Sequence, residues 1–122
     1  MADVETIVDN YIAIWNETDA QARRAIIAAT FSDDATYLDP IMSGEGPQGI
    51  DAMVAGAQAQ FPGHRFELTA GPDAHHDRVR FAWSLVGEHG GAPVARGVDF
   101  ATLADDGRLR SVTGFLEPAA AA

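Results

Sequence analysis

The spacing of apolar residues turns wholly to that of strands after Pro62-Gly63, and that change limits the fold more than any other feature. Ahead of it, Val4, Ile7, Val8, Tyr11, Ile12 and Trp15 recur at the three-and-four spacing of one helix face. Asp3 stands where an N-cap belongs. Thr18-Asp19 caps a second predicted helix over 20–30, and Ser32-Asp33-Asp34 breaks it. Ala35-Thr36-Tyr37-Leu38 reads as a short strand stopped by Asp39-Pro40, because the residue before proline is pushed away from helical geometry. Gly44-Glu45-Gly46-Pro47 is a loop, and a third predicted helix covers 48–60.

After Pro62-Gly63 the period becomes two. Phe66 and Leu68 share a face within 65–70, and Val79, Phe81, Trp83 and Leu85 share one within 78–87, with Arg80, Ala82 and Ser84 opposite. Gly90-Gly91 turns the chain into a strand over 93–103, and Asp105-Asp106-Gly107 turns it into another over 108–117. Helices first and a meander of strands afterwards is an α+β plan and not alternating βαβ. No internal repeat or linker interrupts it. The expectation is a single domain over 3–117, with Pro118 and the closing alanines, 118–122, as a frayed tail.

At 122 residues the chain holds one core, large enough to need neither disulfide nor metal. It has no cysteine, so thiolate nucleophiles and cysteine zinc sites are excluded. A net charge of −10 argues against nucleic acid and against an anionic membrane surface, both of which need clustered Lys and Arg. No apolar run reaches the length of a membrane span, and Met1-Ala2-Asp3-Val4-Glu5 lacks the basic start of a signal peptide, so a cytoplasmic protein is expected.

The order of elements, with Tyr37-Leu38-Asp39-Pro40 after the second helix and Asp106-Gly107-Arg108 before the last strand, resembles the nuclear transport factor 2-like superfamily. That group includes SnoaL-type polyketide cyclases and ketosteroid isomerases. The resemblance runs over 4–117 and implies a cone: a curved antiparallel sheet whose wide end is covered by three helices, enclosing a pocket. It also implies that a small hydrophobic molecule is the partner, that no cofactor is used, and that two copies pair through the outer sheet face as a homodimer.

Three positions match the isomerase pattern. Tyr11, in Asn10-Tyr11-Ile12-Ala13, corresponds to the helix-one tyrosine that donates to the substrate oxygen. Asp39 corresponds to the aspartate base, and Asp99, in Gly97-Val98-Asp99-Phe100, to the second oxygen-binding group. The chemistry implied is movement of a proton beside a carbonyl, which takes a base and donors at the oxygen where charge develops. Ketosteroid isomerase is the standard worked case of such tuned carboxylates. The tyrosines that back up the helix-one tyrosine in some isomerases are replaced here by Phe31 and Val54, so only Tyr37, at a different position, is left for support. The aspartate–arginine–aspartate set of limonene-type epoxide hydrolases is a poorer match, since neither Arg80 nor Arg96 has the required spacing to Asp99.

Plainer readings stand beside these roles. Asp39 before Pro40 is also a turn anchor for backbone N–H groups. Asp99 is an aspartate in an apolar strand, where it either faces a cavity, pairs with a buried arginine or marks a bulge. Tyr11 also reads as a core tyrosine whose hydroxyl finds any partner. Trp15, Tyr37, Phe61, His76, Trp83 and Phe115 are the candidate pocket-lining residues, with core packing as the alternative for the aromatics. His75-His76-Asp77 suggests no metal site, because neighbours on a strand point to opposite faces. Non-catalytic binding of a small apolar ligand, or a structural domain that binds a protein partner, is the competing function.

Overall fold

A computed structural model describes residues 3–117; the predicted tail over 118–122 lies outside them. Two helices open the chain, α1 (Val4–Asn16) and α2 (Ala20–Thr30). The Asp3 carboxylate accepts from the Glu5 N–H and that of Asp19 from the Ala22 N–H, so each helix start is satisfied by its own side-chain cap. The apolar stripe of α1 buries Ile7, Val8, Tyr11, Ile14 and Trp15.

β1 (Phe31–Leu38) follows α2 directly. It begins four residues earlier than the predicted strand, because Phe31 pairs with Leu109 ahead of an irregularity that ends at Thr36. The predicted loop contains a short strand, β2 (Ser43–Glu45), antiparallel to β1. α3 (Gly46–Gln60) carries Pro47 in its first turn, where a missing N–H costs nothing. The remaining strands are β3 (Arg65–His75), β4 (Arg78–Val86), β5 (Ala95–Leu103) and β6 (Leu109–Leu116).

The six strands form one curved sheet in the order β2-β1-β6-β5-β4-β3. Every neighbouring pair is antiparallel except β1 and β6, which run parallel, so the sheet is mixed. Residues 93 and 94, expected in a strand, precede β5. β3 is longer than predicted; it crosses two register shifts between Leu68 and Asp73, around the cis Gly71–Pro72 bond. Those irregularities bend the strand and hide its alternation from a reading of period alone.

The helices cover one face of the sheet: α1 packs on β3, α3 on β1 and β2, and α2 on α3. Arg23 ties them together. Its buried guanidinium reaches Asp51 of α3 at 2.6 Å, Gln58 of α3 at 3.0 Å, and the carbonyl of Glu17 at 3.0 Å. Gln58 in turn donates to the carbonyl of Trp15, so the ends of α1 and α3 are held at a fixed separation. No helix among the described residues is long and apolar enough to cross a membrane.

Candidate functional site

Between helices and sheet lies a cleft of about 650 Å3, counting its open mouth. Three elements aim polar groups into it. Alternation along β5 turns Asp99 and Ala101 to the helix-covered side and leaves Phe100 outside, so Asp99 is 1% exposed and Phe100 is 40% exposed. On β1, Ala35 and Tyr37 point inward, and Asp39 follows in the same parity. Tyr11 comes from the core stripe of α1.

These groups form two tyrosine–aspartate pairs. The hydroxyl of Tyr11 lies 2.6 Å from Oδ2 of Asp99. The hydroxyl of Tyr37 donates to Oδ2 of Asp39 at 2.7 Å. Asp39 Oδ1 also accepts from the N–H groups of Ile41 and Met42, both at 2.8 Å. Thus Asp39 anchors the turn and lines the cleft at once. Tyr37 supports Asp39 directly.

Trp83 adds a contact that the sequence reading did not anticipate: its indole N–H donates to Oδ1 of Asp99 at 3.0 Å. Trp83 pairs across the strands with Gly97, two residues before Asp99 on the same face. A Cβ on Gly97 would fall 2.4 Å from Cζ2 of the indole, so only glycine lets the ring lie across β5 toward Asp99. Gly114, opposite Asp99 on β6, has the matching function for the aspartates. A Cβ there would sit 3.0 Å from Asp99 Oδ1, 3.1 Å from Asp39 Cβ and 3.3 Å from the Tyr37 hydroxyl. The Asp99 carboxylate and the Asp39 side chain therefore both pack over a residue that has no side chain. A glycine inside a strand pattern is the sequence signal for such close approach.

Burial sets the electrostatics. Asp99 is pushed from the usual 3.8 up to about 6, chiefly by loss of solvent. The hydrogen bonds from Tyr11 and Trp83 oppose that rise, and the nearby Asp39 charge adds to it. Tyr11 is held well above the ordinary tyrosine value by burial and then by the charge of Asp99. Tyr37 is raised by the same two causes.

The rest of the lining is apolar. Trp15, Tyr37, Phe61 and Trp83 line the cleft as expected, joined by Phe66, Ile12 and Leu85. Trp15 packs between Tyr37 and Phe66 in tilted contacts, with ring centroids 5.6 and 5.3 Å away. Two expected lining residues are elsewhere. Phe115 is 59% exposed, because it pairs with Val98 on the outward parity of β6. His76 leaves the strand pattern in the turn after β3, with φ +52°, and is exposed. That turn brings His75 Nδ1 and His76 Nδ1 to 3.2 Å, so the two rings do not diverge as strand neighbours would. Arg80 is exposed and paired with Asp73, and neither it nor Arg96 lines the cleft.

Known proteins share this arrangement of the backbone. A structure from Agrobacterium tumefaciens, named as a proposed isomerase of the SnoaL-like family, is 42% identical, with a TM-score of 0.88 over 93% of this chain and 96% of that one. A proposed polyketide cyclase from Sinorhizobium meliloti is 21% identical, with a TM-score of 0.70 over 89% of this chain and 93% of that one. A protein with a ketosteroid isomerase-like fold from Catenulispora acidiphila, in complex with trimethylamine, is 18% identical, with a TM-score of 0.69 over 88% of this chain and 82% of that one. No curated protein matches the chain. The family model of the SnoaL-like domain matches residues 8–112, from the middle of α1 to the middle of β6. Helices and mixed curved sheet are those of the nuclear transport factor 2-like superfamily, and within it this chain belongs to the SnoaL-like domain family.

Proposed function

We propose that this protein moves a proton on a hydrophobic carbonyl compound, steroid-like or polyketide-like, as a cofactor-independent isomerase or cyclase. The observation that carries the reading is the convergence of Asp39 and Asp99 over Gly114 at the end of an apolar cleft. Asp39 takes the proton from the carbon beside the carbonyl. Tyr11 and protonated Asp99 stabilise the oxygen on which negative charge develops. An apolar substrate expels water from the cleft, which favours the neutral acid of Asp99 further. The proposal includes a second copy of the chain on the outer sheet face, where Phe100 and Phe115 are exposed.

An ultraviolet assay on a β,γ-unsaturated ketosteroid tests it, with conjugated enone formation as the readout. Turnover by the wild type and loss of it in Asp39→Asn support the proton-transfer role; equal rates in both proteins remove it. One observation favours the alternative of a non-catalytic binder: three hydrogen bonds already occupy Asp39. Tight binding of apolar ketones with no turnover of any would establish that alternative.

A further inference from the structure

Asp99 can carry its proton on either of two oxygens, and its neighbours are not equivalent. An indole N–H can only donate, so the oxygen it touches must act as an acceptor. Trp83 touches Oδ1. The proton of the neutral acid is therefore best placed on Oδ2, the oxygen 2.6 Å from the hydroxyl of Tyr11. A tyrosine hydroxyl accepts as well as donates, so it can receive that proton in a hydrogen bond and must then turn its own proton elsewhere. Tyr11 lines the cleft, so the proton it turns away from Asp99 faces the space a ligand would fill.

We infer that Trp83 is a positioning residue: by occupying Oδ1 it seats the acid proton on Oδ2, and so makes Tyr11 the one hydroxyl that donates to a ligand oxygen. The order is single file, from Asp99 to Tyr11 to the ligand, with no direct bond from Asp99 to the ligand. It differs from two groups donating side by side. When Asp99 is ionised, Tyr11 turns back to it and the ligand meets only an acceptor. Gly97 belongs to the device, since any side chain there would lift the indole away. The titratable groups facing Asp99 are Tyr11 from α1, Tyr37 from β1 and Asp39 just after it; β4 presents Trp83 and β6 only Gly114. With Asp99 near 6, both states are populated around neutral pH, and the Trp83 bond is one of the two that hold that value down.

This inference rests on the reading of Tyr11 and Asp99 as the oxygen-binding pair, but neither of its tests needs turnover. The first is titration of the Asp99 carboxyl carbon by 13C NMR, in wild type and in Trp83→Phe, which keeps an aromatic ring and removes the N–H. The midpoint is expected to rise by about one pH unit or more in the variant. An unchanged midpoint would overturn the assignment, since a ring that merely packs does not move it. The second is the infrared stretch of 13C-labelled 2-acetonaphthone bound at pH 5. Wild type is expected to lower the carbonyl frequency, and Tyr11→Phe to abolish that shift although Asp99 remains. Retention of half the shift or more in Tyr11→Phe means that Asp99 donates directly, and the relay is wrong. A protein that binds the ketone in this way without converting any substrate overturns the proposed function and leaves the relay standing.

Discussion

The hydroxyl of Tyr11 and the carboxylate of Asp99 meet at 2.6 Å across the core, 88 residues apart in the chain. The contact links the first helix to the middle of β5, and almost no water reaches it. Its protonation is therefore coupled to folding.

The first expectation concerns stability against pH. Asp99 titrates near 3.8 when unfolded and near 6 when folded. The folded state thus holds this proton over a pH range in which the unfolded state has lost it. Stability from this group is fully present below about pH 4 and declines as pH rises to about 6, by about 3 kcal/mol. Asp99→Asn lacks the decline. Urea unfolding of both proteins at pH 4, 5, 6 and 7 should show the variant gaining on the wild type by about that amount. Parallel profiles would mean that Asp99 is not buried as described.

Gly114→Ala places a methyl group against Asp99 Oδ1 and Asp39 Cβ at about van der Waals overlap. The surrounding strands must give way, at a cost of about 1–3 kcal/mol in stability. Because the displaced atoms belong to Asp99 and Asp39, proton-transfer activity should fall more than tenfold at temperatures where the variant is fully folded. A variant that loses stability but keeps its activity would show that the convergence of the two aspartates is incidental.

Thr30, at the end of α2, is fully buried, and its hydroxyl has no hydrogen-bond partner among the described residues. Replacement by the similarly shaped valine removes an unsatisfied polar group. Thr30→Val should raise the unfolding free energy by about 1 kcal/mol and leave the cleft unchanged. A loss of stability in chemical denaturation would reveal a partner for the hydroxyl.

On the outer face, Phe115 pairs with Val98, and Phe100 lies near it on the same parity. If a second copy covers these rings, Phe115→Asp should halve the mass measured by light scattering at micromolar concentration. A wild type that is already monomeric would remove the homodimer from the account.

The helices and the inward face of β4 were legible in the sequence, since Val4 to Trp15 and Val79 to Leu85 keep strict periods over many residues. β2 was not, because Ser43–Glu45 is a three-residue strand inside a glycine-rich turn, and its existence depends on pairing with β1. The parallel pairing of β1 with β6 is likewise a property of the assembled sheet and leaves no local signal. At the site, Tyr11, Asp39 and Asp99 were picked out by resemblance, and the fold brings them to one cleft. The period of β4 places Trp83 on the cleft wall but does not reveal its bond to Asp99, because a side-chain period gives a face and not a direction along it. Gly97 and Gly114 were the available clue, two glycines inside strands that flank Asp99. Phe115 and His76 were misplaced for local reasons: an outward parity in β6, and a positive φ in the turn after β3.

The central claim is that Asp39 removes a proton from the carbon beside a carbonyl held in the cleft. Proton NMR in deuterium oxide, following a panel of apolar ketones, measures that step whether the full reaction is isomerisation or cyclisation. The wild type is expected to exchange the α-protons of at least one bound ketone, and Asp39→Asn to do so about a thousandfold more slowly. Binding without exchange, or equal exchange in the two proteins, would contradict it.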